Sequence, residues 1–409
     1  MTSREVVPQQ GSPPPSCRPG AEESAAPRVV MIVERLYELG GAQKQALRLC
    51  RALAGLGVDA RIVTGRWRRS NPRRGEVEGV PVAALFTCFK MFNLRGLRKL
   101  SVPIYVASLA LHLRRHRGAL DVIHAHSATS SAYAAVLAGR WLAKPTVMKV
   151  MASGNWSDFK RMRARKQFPS GDWMLRRLRG IDRVVCLNHE VEEECLGEGF
   201  SAEQLVSIPN GFPVREVSPM TEYSAGNTVE ITFVGRLDAQ KNPSTLLEAA
   251  ARVIRSAGGH RFRVRFLGDG PQRGDLEKRA LELGLGGRVR FVGRVENVAE
   301  RLRETHIFVL PSLSEGLSNA LLEAMAHGLP CIATAIPGNV DLIRDRETGI
   351  LVKPSDPEDL ARAILELAGS PDLRGTLGRA GRAFVEGNHD MEAVARRYLD
   401  LYRSLVGRR

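Results

Sequence analysis

The sequence predicts an α/β protein built from two Rossmann-like, doubly wound parallel-sheet domains in tandem, facing one another across a cleft. Three observations carry that prediction. Apolar runs of strand length alternate with amphipathic helical stretches along most of the chain, the alternation that helix-linked parallel strands require. The series occurs twice, with a polar stretch containing Pro and Gly, PVREVSPMTEYSAGNT (213–228), between the copies. The length, 409 residues, is too great for one ordinary core and suits two domains of common size.

Taken in order, residues 1–27 lack the apolar core of a signal peptide and read as a disordered leader. The first domain spans 28–212. RVVMIVERL (28–36) is a buried strand, ELGGAQKQALRLCRALAGLG a turn and helix, and DARIVTG (59–65) and VPVAALF (80–86) are the next strands. A helix at about 102–113 leads to DVIHAHS (121–127), followed by PTVMKVM (145–151), DRVVCLN (182–188) and VSIPNGF (206–212). The 213–228 stretch is the expected linker. The second domain, 229–386, opens with VEITFVGRL and a helix, then RVRFLGDG (263–270), a helix, RVRFVGRV (288–295), HIFVL (306–310), a further helix, PCIATAI (330–336) and GILVKP (349–354). Residues 387–409 include the amphipathic MEAVARRYLDLYRSL, expected to fold back across the first domain.

Composition narrows the function classes. With 44% hydrophobic and 25% charged residues, the chain has the makeup of a soluble globular protein. Its best candidate span, LSVPIYVASLALHL (100–113), is short and carries Pro103, so no membrane span is expected. Six cysteines, at 17, 50, 88, 186, 195 and 331, show no metal-ligand spacing and read as reduced thiols in the cytoplasm. The formal charge of +16 is concentrated at 65–75, 89–99, 113–117 and 159–166. Shallow contact of Trp67, the 89–99 segment and the 159–166 segment with an anionic membrane surface is expected. The basic residues lack the interleaved aromatics of a nucleic-acid motif, so nucleic acid is not an expected partner.

The richest stretch is PSLSEGLSNALLEAMAHGL (311–329). It leaves a strand, crosses a polar loop and starts a helix for which Ser318 or Asn319 is the expected cap. Unpaired backbone N–H groups at such a helix start form a seat for phosphate. Acids repel phosphate, so Glu315 and Glu323, eight residues apart, fit better as acceptors for hydroxyls of sugars on either side of a diphosphate. Arg236 and Lys241, just past a strand end in GRLDAQKN, supply fixed cations for that diphosphate. Gly40 and Gly41 precede a helix, where a backbone can approach a ligand. His126 falls at the carboxyl end of its strand, where open parallel sheets bind ligands, and His124 shares its face. The backbone of Gly293, Arg294 and Val295 is a candidate contact for a base edge. No P-loop, H-E-x-x-H or D-x-D pattern is present to hold a metal.

In their order, GGAQ, DVIHAH, VSIPNGF, FVGRLDAQKN, the GDGP turn, RVRFVGRV and PSLSEGLSNALLEAMAHGLPCIAT resemble the retaining glycosyltransferases of family 4, which have the two-domain GT-B fold. The resemblance covers nearly all the chain after about residue 28. It implies that Glu323 binds the nucleotide ribose and Glu315 the donor sugar, with His126 near the reacting carbon. Arg236, Lys241, Gly41 and the backbone of Gly316, Leu317 and Ser318 would hold the diphosphate. It also implies no cofactor and no metal: a nucleoside-diphosphate-sugar, uridine-linked in preference to guanosine-linked, is a substrate, and the acceptor is a glycan or lipid-linked sugar of a cell-surface polysaccharide. MASGN (151–155) and AIPGNVDLI (335–343) depart from the family pattern, and no role is assigned to Asn339 or Asp341. The rival readings are a nucleotide-sugar epimerase of the same fold and a basic nucleic-acid-binding protein.

Overall fold

The computed structural model describes residues 26–38, 40–68, 70–87, 101–164, 170–226, 228–256 and 261–407. Within them the first sheet comprises β1 (Val29–Val33), β2 (Ala60–Arg66), β3 (Arg74–Val77), β4 (Val80–Phe86), β5 (Val122–Ala125), β6 (Thr146–Lys149), β7 (Arg183–Cys186) and β8 (Leu205–Ser207). Their order is β3-β4-β2-β1-β5-β6-β7-β8. Every pairing is parallel except β3 with β4. The chain winds outward from β1 on one side and then on the other, so its switch point lies between β1 and β5.

The second sheet contains β9 (Thr228–Val234), β10 (Arg261–Leu267), β11 (Val289–Gly293), β12 (Ile307–Leu310), β13 (Cys331–Thr334) and β14 (Ile350–Val352), ordered β11-β10-β9-β12-β13-β14 and wholly parallel. Its switch point lies between β9 and β12. Sheets covered on both faces need apolar side chains on both, and β1, β5, β6, β12 and β13 are buried at every position.

Two clusters cover the two faces of the first sheet. One includes Leu109, Ala134 and Leu175 from the helices Ser101–Arg115, Ser130–Leu142 and Gly171–Leu178. The other joins Leu47 and Leu53 of the Gly41–Gly55 helix to Val394, Tyr398, Tyr402 and Leu405 of the Met391–Val406 helix. The last helix of the chain therefore packs on the first sheet.

Three features go beyond or against the expectations. The arginine-rich stretch after β2 contains a strand, β3, antiparallel on the sheet edge. Its exposed, non-alternating RGEV carries no apolar signal, and pairing with β4 alone creates it. The 213–228 linker is anchored: Val214 is fully buried, the Tyr223 hydroxyl donates to the Gly328 carbonyl (2.9 Å), and the buried Arg374 guanidinium donates twice to the Tyr223 carbonyl (3.0 and 2.6 Å). Finally, Trp67 is buried, its indole N–H donating to the Glu34 carbonyl, and Phe159 and Met162 are core residues, so none of the three can enter a membrane. Residues 89–99 and 165–166, Cys17 and Cys88, and the leader up to residue 25 lie outside the described residues. Cys50, Cys186, Cys195 and Cys331 are buried free thiols. Among the described residues, no helix is long and apolar enough to cross a membrane.

Candidate active site

The carboxyl ends of the two sheets face each other: the loop leaving β12 meets those leaving β6 and β7 at Met151, Ser153 and Asn188, and the Asn319 helix start meets the Gly41–Gly55 helix that follows β1. The loop after β12 runs through Glu315 to the Asn319–Ala326 helix. Ser318 is the cap, its hydroxyl accepting from the Leu321 amide (3.4 Å). Glu315 is nearly buried. Its Oε1 accepts from Lys241 Nζ (2.5 Å) and Ser312 Oγ (2.7 Å), which brings the predicted sugar acceptor and one predicted diphosphate cation into one ion pair. Arg236 is placed differently: it is largely exposed and paired with Asp238, whose other oxygen accepts from the Lys241 amide (3.1 Å).

Glu323 lies one turn into the helix and pairs across the cleft with Arg48 Nη2 (3.3 Å) of the Gly41–Gly55 helix. Gly41, Gln45 and Arg48 share one stripe of that helix. A Cβ on Gly41 would lie 2.9 Å from Asn319 Nδ2, so the glycine permits the two helix N-termini to meet. Two positive dipole ends thus converge on one place. Gly316 is packed as tightly: a Cβ there would lie 2.1 Å from the Met151 carbonyl, and the Gly316 carbonyl accepts from Asn188 Nδ2 (2.7 Å).

His126 follows β5 and is buried, with no hydrogen-bond partner at either ring nitrogen. Its ring lies 4.4 Å from that of His124, whose Nδ1 is 2.8 Å from the Tyr402 hydroxyl of the C-terminal helix. Burial pushes both imidazoles down, His126 well below the usual value and His124 to about 3, with Lys149 adding to the effect. Both are therefore neutral at pH 7. Gly293, at positive φ, ends β11, and its carbonyl accepts from the Gly268 amide (2.8 Å) on the same sheet edge; Arg294 beyond it is exposed and Val295 half-buried. Asn339 is fully buried and donates to the Thr334 carbonyl (3.0 Å), while Asp341 bonds Asn188.

Sequence reasoning passed over Gln45, Arg48, Lys149, Asn188 and Asn210, all of which bind at the cleft. Two left a signal. Lys149 is a lone charge in the apolar run PTVMKVM, and Gln45 and Arg48 repeat at helical spacing after Gly41.

Residues 40–211 match the model of the glycosyl transferase 4-like domain, and residues 228–370 that of glycosyl transferases group 1. The lipopolysaccharide core biosynthesis glycosyltransferase LpsE of Rhizobium meliloti is 30% identical over 371 residues, 89% of this chain and 96% of its own. The chain belongs to glycosyltransferase family 4. The family 4 chain is also 30% identical over 237 residues to the UDP-Gal:alpha-D-GlcNAc-diphosphoundecaprenol alpha-1,3-galactosyltransferase of Escherichia coli, a match that takes in 55% of this chain and spans 60% of the relative's length. Its fold is GT-B. Sucrose-phosphate synthase from Thermosynechococcus elongatus superposes with a TM-score of 0.77 at 24% identity, covering 94% of this chain and all of that one. HepE of Anabaena, solved with UDP-glucose, gives 0.73 at 17%, covering 93% and 100%.

Proposed function

We propose that this glycosyltransferase moves a sugar, with retention and without a metal ion, from a uridine-diphosphate donor to a glycan or lipid-linked acceptor in cell-surface polysaccharide synthesis. The observation that carries the reading is the Lys241–Glu315 pair beside the Asn319–Ala326 helix start, with Glu323 one turn deeper. In the proposed roles the carboxylates take sugar hydroxyls, Glu323 from the ribose and Glu315 from the donor sugar. Lys241, Arg236 and the helix amides then absorb the charge of the departing diphosphate. The bond from the anomeric carbon to the diphosphate oxygen breaks as the acceptor oxygen attacks from the same face, and the acceptor proton passes to the departing phosphate. His126, neutral, serves as a hydrogen-bonding group near the reacting carbon rather than as a charge. The relatives support the same class here: one is named for a UDP-galactose donor and a diphosphoundecaprenol-linked acceptor, the other for lipopolysaccharide core biosynthesis.

Hydrolysis of a panel of nucleotide-sugars in the presence of EDTA tests this reading. Slow release of sugar from uridine-linked donors is expected. Interconversion of donor sugars without release would instead establish the epimerase.

A peripheral position at the inner membrane face belongs to the same proposal, through a surface other than Trp67. Residues 79–157 contain one acid, Asp121, which is held by Arg28 (2.8 Å) and Lys144 (3.5 Å). On the helices over that region Leu111 and Trp141 are more than half exposed, and the Arg114 guanidinium lies 4.8 Å from the Trp141 ring centre. An exposed indole and leucine amid uncompensated arginines suit an anionic lipid surface. In flotation assays Trp141→Ala with Leu111→Ala should lose most recovery with anionic liposomes; equal wild-type recovery with neutral ones would refute the idea.

A further inference from the structure

The carboxyl end of β6 carries a buried charge that the reaction above does not use. Lys149 is almost fully buried, and its Nζ donates to Asn210 Oδ1 (2.7 Å), a neutral amide. An ammonium is costly to bury without an anionic partner, so its neighbours matter. Asn210 Nδ2 donates to the Asn319 side-chain oxygen (3.1 Å) and the Leu317 carbonyl (3.3 Å), both at the start of the donor-side helix. The same Asn319 oxygen accepts from Gln45 Nε2 (2.7 Å), which also donates to the Gly211 carbonyl (2.8 Å). One chain of hydrogen bonds therefore runs from β6 through Asn210 to the helix that the donor reading assigns to the diphosphate.

The Asn210 amide could sit either way round. Turned over, it would aim its oxygen at two other oxygens, and an adjacent –NH₃⁺, which only donates, forbids that orientation. We infer that Lys149 is a positioning residue, which fixes the Asn210 amide and thereby the register of the Asn319–Ala326 helix start against the first domain. The inference rests on the donor reading for its effect on nucleotide and on the interdomain geometry alone for its effect on closure.

The groups facing Lys149 are His124 in β5, His126 just past it and, on the C-terminal helix, Tyr398, whose ring centre is 5.7 Å from Nζ. Tyr402 binds His124, and His389 Nδ1 lies 3.1 Å from the Asn210 carbonyl. The histidines are neutral at pH 7 and burial raises both tyrosines, so none changes charge near neutrality. Burial lowers Lys149 itself to about 7. The ammonium, which makes the charge-assisted hydrogen bond to the Asn210 oxygen, is therefore present below that pH and lost above it; above it the weaker bond of a neutral amine leaves the amide held chiefly by its donations to the Leu317 carbonyl and the Asn319 oxygen.

Lys149→Met keeps the length and removes the charge, and loss of a buried charge favours folding, so the variant should fold. Uridine diphosphate affinity is measured by calorimetry for both proteins from pH 6 to pH 9, and their ratio cancels the titration of the nucleotide phosphate. Loss of one charge-assisted hydrogen bond predicts a wild-type advantage of about tenfold at pH 6, falling toward parity at pH 9. A ratio of one at pH 6, or one that is constant with pH as a purely structural role would give, overturns the inference. Small-angle scattering reads closure without ligand: K149M should be the more open protein at pH 6 and indistinguishable at pH 9. Identical radii throughout overturn the inference even when nucleotide binds, whereas a pH-dependent difference without any nucleotide binding leaves it standing and removes the donor reading instead.

Discussion

Glu315 and Lys241 are 74 residues apart in sequence and in contact in the fold. Each was readable as a functional group because it sits in a loop at a strand end, where packing alone gives little reason for a charge. Their mutual pairing was not readable, since it depends on β9 and β12 being neighbours. Lys149 and Asn210 illustrate the limit more sharply: a lysine in an apolar strand is visible in sequence, but its partner 61 residues further on is not. At this scale Glu315→Gln is expected to lower turnover about 100-fold, while uridine diphosphate affinity stays within about threefold, because the residue is assigned to the sugar; steady-state kinetics with calorimetry separates the two. Asp158 gives a pH prediction. Burial raises its carboxyl to about 6, partly offset by the Met151 amide (3.0 Å). A raised carboxyl contributes stability that is present below its unfolded value and lost as pH rises through about 6. The wild type should therefore lose on the order of 3 kcal/mol between pH 4 and pH 7 that Asp158→Asn retains, as read from denaturant melts.

At the scale of elements, the alternation of strands and helices was legible because a parallel sheet covered on both faces demands continuous apolar runs. β4, read as VPVAALF, spans the same residues in the structure. β3 was not legible, because an edge strand with exposed side chains has no apolar signature and exists only through its partner. The Met391–Val406 helix was recognisable as amphipathic, and its apolar face meets the Gly41–Gly55 helix in a shared cluster. Truncating that cluster with Leu47→Ala should cost about 2–5 kcal/mol, measured by thermal or denaturant melting. The loop before the Asn319–Ala326 helix makes a different prediction. Gly316→Ala puts a methyl group against the Met151 backbone, so it should hold the domains apart, raising the scattering radius and cutting turnover at least tenfold. Unchanged scattering and kinetics would show that the loop yields without cost.

Considered as a whole, the molecule is two similar sheets whose switch points face each other, with opposed helix N-termini between them. Glu323 is engaged by Arg48 and Glu315 by Lys241, so the cleft balances its own charge before substrate arrives. A diphosphate would draw Lys241 and Arg48 away from the carboxylates, which are then free to accept sugar hydroxyls. That exchange couples binding to the positions of both domains. The most direct test is calorimetric titration of uridine diphosphate in EDTA against the wild type, Lys241→Ala and Glu323→Gln. The account predicts wild-type binding without metal and a loss of about 30-fold or more in each variant. Equal affinity in all three proteins, or wild-type binding only when a divalent ion is added, would contradict it.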